Sequence, residues 1–235
     1  MFRGDHPDLG RVWGGAPALA RALGHPRVGS EHLLLALTTA GGDVSTVLAD
    51  HGATATAIRD AVRRAAPLGA GAAADRDLLA TLGIDVDRLL SASGTAALDR
   101  APAGEPLLPL GAVTARRRCA RMDPPLGLDA QAAYEASLRL ALARRECEHR
   151  PEHLALTLVA LDPGAAWALR AAGADPRTVL THLAATFPPP ARNPLLRGER
   201  RLGRQRRQHD LVRRYQHTTG RTATAGPAIA ALIAG

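Results

Sequence analysis

The feature that most constrains this chain is that part of it is written twice. Ser30-Glu31-His32-Leu33-Leu34-Leu35-Ala36-Leu37 aligns with Pro151-Glu152-His153-Leu154-Ala155-Leu156-Thr157-Leu158, 121 residues later. Without a gap, the same register sets Leu48 on Leu169, Gly52 on Gly173 and Ala53 on Ala174. A register held from Ser30 to Ala53 predicts two copies of one supersecondary unit, each burying its apolar face with the help of the other.

The residues of each copy spell helices. Ser30 suits a helix N-cap, where its hydroxyl would accept from the free amides of the first turn, and Pro151 suits the first helical position, where a missing N–H costs nothing. Glu31 and Glu152 then fall in the first turn, at the positive end of the macrodipole. Leu33, Leu34 and Leu37 recur at the spacing of a buried stripe. Gly41-Gly42 and Asp162-Pro163-Gly164 break these helices. A short helix follows in each copy, closing at Gly52 and Gly173, where glycine can take the left-handed conformation. The spacing predicts a further helix over residues 54–65, matched by one over 175–186. Ahead of each motif lies one more, over about Pro17 to Leu23 and about Asp129 to Cys147, the latter with Tyr134, Leu138, Ala141 and Leu142 on one face. Each copy therefore reads as four helices. With aromatic residues at only 3%, the core must be Ala, Leu and Val, which favours packed helices over a β-sandwich.

The expected organisation is a first repeat over 1–66, an insert over 67–125, a second repeat over 126–187 and a C-terminal tail over 188–235. The insert opens Gly/Ala-rich and closes Pro-rich, so much of it is expected as loop. Its middle, Leu82 to Leu90, is expected to form a helix docked on the body, because Leu89 matches Ile58 and Val179 in a shared Gly-Ala pattern. Pro188-Pro189-Pro190 ends the last body helix.

Charge divides the chain at the same point. The formal net charge is +8, and residues 188–235 carry ten arginines against Glu199 and Asp210, which accounts for all of it. The body is formally neutral and has no nucleic-acid footprint of its own. All 30 basic residues are arginine. Without lysine the chain cannot carry a Walker-type phosphate loop or Schiff-base catalysis. No nucleophile elbow, glycine loop, metal cluster or cofactor motif stands out, so the expectation is a non-enzyme without cofactor. Cys119 and Cys147 form no C-x-x-C pair and point to a reducing, cytoplasmic setting. No export signal or membrane span is expected.

Leu23-Gly24-His25, Val28-Gly29-Ser30-Glu31-His32-Leu33-Leu34-Leu35, Val47-Leu48 and His51-Gly52-Ala53 together resemble the Clp N-terminal repeat. The second copy keeps Glu152, His153, the leucines and Gly173 but has Arg150-Pro151 where the first has Gly29-Ser30. The resemblance implies an all-α, pseudo-twofold domain of two four-helix units, here free-standing, without the AAA+ ATPase modules it usually precedes. It implies binding of Clp ATPase or protease components, adaptors or substrate proteins. In some relatives the motif acid holds phosphoarginine, which nominates Glu31 and Glu152, with Ser30 beside them. The chemistry is sound, since a carboxylate pairs bidentately with a guanidinium while helix N-terminal amides suit phosphate. The plainer alternative is that both glutamates only serve their own helix starts.

Two other signals compete. His149-Arg150-Pro151-Glu152-His153 spells H-x-x-E-H, but Pro151 starts a helix between the two histidines, and Val28 takes the place of His149 in the first copy, so zinc is rejected. The tail offers a second function class, phosphate binding to nucleic acid through Arg200, Arg201, Arg204, Arg206 and Arg207. Trp167 and Tyr134 read as core or groove-lining residues.

Overall fold

The computed structural model describes residues 2–85, 87–88 and 121–190. The described chain is all-α. Four helices form the first repeat: α1 (Pro7–Ala22), α2 (Ser30–Thr39), α3 (Asp43–Asp50) and α4 (Ala55–Arg64). A fifth, α5 (Ala70–Ala80), follows in the insert. The second repeat is α6 (Leu128–Arg144), α7 (Pro151–Leu161), α8 (Pro163–Ala171) and α9 (Pro176–Thr186).

Adding 121 to the start of α1, α2 and α4 gives the start of α6, α7 and α9, so the register read from the motif holds for the whole unit. The core follows it. Leu33 and Leu154, Leu37 and Leu158, Leu48 and Leu169, Ile58 and Val179, and Val62 and Leu183 are equivalent pairs, all buried. Each fully buried leucine contributes about 1.5–3 kcal/mol of transfer free energy. Gly52 and Gly173 close α3 and α8 with φ of 82° and 87°, as expected.

The repeats interlock about a pseudo-twofold axis. α2 packs on α6 as α7 packs on α1, and α3 meets α9 as α8 meets α4. Short extended segments seal the join: the Val28 amide donates to Pro125 O and the Gly127 amide to Val28 O, while the equivalent His149 amide donates to Gly4 O and the His6 amide to His149 O. These bonds form two isolated parallel bridges, Asp5 with His149 and Val28 with Leu126, and the described residues contain no strand beyond them. Near the axis Trp13 lies against its equivalent, Tyr134, with ring centroids 4.6 Å apart.

Three expectations need correction. The first helix starts at Pro7, not near Pro17, because Leu9, Val12, Ala16 and Ala20 already form a buried stripe. Pro17 sits inside that helix, where it costs one backbone hydrogen bond that the buried face offsets. Its partner ends at Arg144 rather than Cys147, with Arg145 left-handed at φ 60°. The Gly/Ala-rich opening of the insert is a helix, not loop. α5 buries Ala70, Ala72, Ala73 and Leu79. Of the helix expected over Leu82 to Leu90, residues 82–85 are turn and coil and 87–88 helical, while 86, 89 and 90 lie outside the described residues, as does the tail from Ala191 onward.

Candidate functional site

The repeated Glu-His pair sits at the start of α2 and α7. In each copy the histidine, not the serine, completes the helix start. His32 turns back so that its Nδ1 accepts from the Gly29 amide at 3.0 Å, and His153 Nδ1 accepts from the Arg150 amide at 3.0 Å. Ser30 is the first helical residue rather than the cap; its hydroxyl donates to Asp162 at 2.7 Å and its amide to Asp129 at 3.1 Å. His32 Nε2 shares a proton with His25 Nδ1 across 3.0 Å. At the equivalent place His153 Nε2 lies 3.0 Å from Glu146, off the line of a hydrogen bond. Burial pushes His32 down to about 4 and lowers His25, so both are neutral imidazoles at pH 7.

The two glutamates have opposite surroundings. Glu31 is 1% exposed and Ser30 fully buried. The Glu31 carboxyl curls onto Gly29, where a Cβ would stand 2.3 Å from Oε2. Gly69, at φ +92°, crosses it from the other side, where a Cβ would stand 2.9 Å from Oε1. That crossing leads into α5, which lies along α8 with Gly71 against Gly164, so close that a Cβ on Gly164 would meet the Gly71 amide nitrogen at 2.8 Å. Arg27 enters the same chamber and donates to Leu68 O at 3.3 Å and to Asp129 at 3.5 Å. Asp129 and Asp162 complete an acid-rich set around Glu31, and Asp75 of α5 faces Asp129. Burial, reinforced by the Asp129 charge, pushes Glu31 up to about 8, with Arg27 offsetting part of the effect. Burial, with the same Asp129 charge, pushes Asp162 and Asp75 up to about 6.

Glu152, by contrast, is half-exposed and borders an open cleft of about 670 Å³. His6, Asp8, Arg11, Asp43, Arg150 and Phe187 are among the residues lining it. Asp8 is the equivalent of Asp129, so the cleft repeats the acid pair of the Glu31 chamber. No described helix covers it, and two substitutions set it apart from the Glu31 chamber. Asp43 stands where Gly164 lets α5 approach, and Pro190 stands where Gly69 takes a positive φ that proline cannot reach. Beside the cleft, Glu146, Glu152 and His153 each bring one donor atom within 4.8 Å of the others.

The H-x-x-E-H string makes no paired zinc ligands. His149 Nδ1 lies 2.9 Å from Asp5 Oδ1 and its Nε2 lies 2.7 Å from Ser137 Oγ, so both ring nitrogens are engaged. Asp5–His149–Ser137 has the connectivity of a hydrolase triad, which sequence reasoning missed because Asp5 lies 144 residues from His149. Ser137 is fully buried in the middle of α6, where no substrate carbonyl can reach it. The set is a clamp that holds the N-terminal segment on the second repeat, joined by Tyr134, which donates to Asp5. Hydrogen bonds from His149 and Tyr134 outweigh burial and hold Asp5 below the usual carboxylate range. Tyr134 is buried in this contact; half-buried Trp167 donates from Nε1 to Asp77 of α5 at 2.8 Å. The tail arginines 200, 201, 204, 206 and 207 lie outside the described residues.

No described helix is long and apolar enough to cross a membrane. No curated protein matches the chain. Residues 11–100 match the family model of the Clp repeat (R) N-terminal domain, a span that takes in most of the first repeat and α5. Domains of that family mediate protein interactions with Clp components or their substrates. The motif, the interlocked helical repeats and the match agree: residues 11–100 are similar to the Clp repeat (R) N-terminal domain, a likeness that points to a role associated with the Clp chaperone–protease system.

Proposed function

We propose that the chain is a non-catalytic recognition module, an adaptor or decoy of the Clp system, and that it takes peptide-like ligands at the Glu152 cleft. The observation that carries this reading is the inequality of two equivalent ends among the described residues: α5 covers Glu31, whereas Glu152 borders a cleft. The covered end also indicates what an acid pair of this kind accepts. A guanidinium, that of Arg27, lies beside Asp129 and Glu31 there; at the open end the equivalent of Arg27 is Glu148, which supplies none. An arginine-bearing ligand, phosphoarginine among them, fits Glu152 through charge-assisted bonds, while Asp8 already accepts from Arg11 of the cleft. Pro151 withdraws one amide from a phosphate, so the guanidinium carries more of the recognition than the phosphoryl group does.

Calorimetry on the full chain with phosphoarginine and arginine peptides tests this. Glu152→Gln is expected to weaken binding at least tenfold, and Glu31→Gln to leave it within twofold. Affinity indifferent to Glu152→Gln rejects the reading. The other function class rests on the tail charge. It requires DNA affinity that falls steeply with salt and is lost when Arg200, Arg201, Arg204, Arg206 and Arg207 are replaced by glutamine.

A further inference from the structure

The covered end has its own logic, independent of what binds at Glu152. α5 docks through a face of alanines and one leucine, Ala70, Ala72, Ala73 and Leu79, with Leu78 left 64% exposed. Alanine methyls bury little area, so apolar contact holds this helix weakly compared with the leucine-lined contacts of α2 and α7. Beneath it the polar accounting is unfavourable to charge. Glu31 Oε2 is buried with no hydrogen-bond partner among the described residues. Its Oε1 lies 3.3 Å from His32 Nδ1, a nitrogen already accepting from the Gly29 amide and therefore no donor to a carboxylate. The titratable groups facing this carboxyl are His25 from the loop before α2, His32 on α2, Asp129 on α6 and Asp162 ahead of α8, with Arg27 between them, and Asp75 on α5 faces Asp129 in turn. A proton on Glu31 removes a desolvated charge that Arg27 and Glu31's own amide only partly offset; an ionised carboxyl there draws water, and α5 is the element that keeps water out.

We propose that α5 is a releasable plug over the Glu31 end of the first repeat, seated while the carboxyls beneath it hold a proton and displaced when they ionise. Release would make the first repeat's motif end as open as the second's, so the protein would present one exposed end with the plug seated and two with it displaced.

Hydrogen exchange on the full chain, expressed as protection factors to remove the intrinsic pH dependence of the chemistry, reads the plug directly. Between pH 6 and pH 9 the protection of residues 69–82 is expected to fall at least tenfold, while α7 and α9 hold theirs. In Glu31→Gln, which keeps the shape of the neutral acid, protection should be the same at both pH values. Asp75→Asn removes the carboxyl of α5 that faces Asp129 and should move the release to higher pH without touching α2. Protection of 69–82 that ignores pH in the wild-type chain, an equal fall in Glu31→Gln, or an unmoved release in Asp75→Asn each overturns the plug. None of these results bears on peptide binding at Glu152, so the two proposals fail separately.

Discussion

The two motif ends of this domain share a helix start, a capping histidine and an acid pair, yet among the described residues one is covered by a helix and the other borders a cleft. The difference lies outside the motif. Gly69, Gly71 and Gly164 permit a helix to cross Glu31 at backbone contact, whereas Pro190 and Asp43, the equivalents of Gly69 and Gly164, lack that freedom beside Glu152. Duplication thus supplied two equal frames, and the segments leaving them decided which end is accessible. A motif residue alone does not mark a binding site; what the following fifteen residues can pack against it matters as much.

The comparison breaks first at the core, if the frames are not truly equal. Leu33→Ala and Leu154→Ala remove equivalent, fully buried side chains, and each should cost about 2–5 kcal/mol. Urea denaturation should place the two costs within about 1 kcal/mol of each other. A much smaller loss at Leu154 would mean that the second frame is looser than its burial shows.

The next largest effect separates the ends by pH. Glu31 is raised to about 8 in the folded chain from 4.5, so between those values the folded state holds a proton that the unfolded state has lost, and stability falls as pH rises. His32, lowered from 6.5 to about 4, acts in the opposite sense: its contribution is lost as pH falls through that range. The two oppose each other below pH 6.5, leaving pH 6.5 to 8 as the window in which Glu31 acts without His32. Stability should drop there by on the order of 2 kcal/mol. The drop should vanish in Glu31→Gln and persist in Glu152→Gln; equal slopes in all three chains would remove Glu31 as its source.

Much of this frame was legible before any coordinates, and the reason is physical. The paired motif, the leucine stripe and the closing glycines are local signals that act within one or two helical turns, and all appear where the register put them. The errors came where context overrode them. Ser30 looks like a cap, but His32 two residues on reaches the Gly29 amide first. Gly69 to Ala74 looks like loop because glycine and alanine carry no stripe; Ala70 to Ala74 are helical because Gly164 offers a surface close enough for bare backbone. The Glu31 chamber and the Asp5–His149 clamp join residues about 100 or more apart in sequence, which no spacing rule reaches.

The clamp offers a smaller contrast, since the first repeat places Val28 and Leu126 where the second places His149 and Asp5. His149→Val copies the apolar version onto one partner only. It removes the bonds to Ser137, whose hydroxyl keeps the Tyr134 carbonyl, and to Asp5, so it should cost about 1–2 kcal/mol. His149→Val combined with Asp5→Leu should recover part of that loss, because replacing both partners of a buried polar pair by apolar groups removes the desolvation penalty along with the bond. Thermal unfolding of the single and double variants checks this. A double variant no better than the single one would show that the polar clamp is needed where its apolar equivalent suffices.

The smallest effect tests how lightly α5 is tied. Trp167 donates to Asp77 at the exposed edge of the α5–α8 contact, where a hydrogen bond to a solvated carboxylate is worth less than about 1 kcal/mol. Trp167→Phe keeps the ring and removes only the N–H. Global stability should hardly move, whereas protection of residues 69–82 should fall by about two- to fivefold, because a helix docked through alanines has little else to lose. If protection there is unchanged while the melting temperature drops, α5 unfolds with the core rather than ahead of it, and the contrast between a sealed end and an open one is fixed by global stability instead of by the plug.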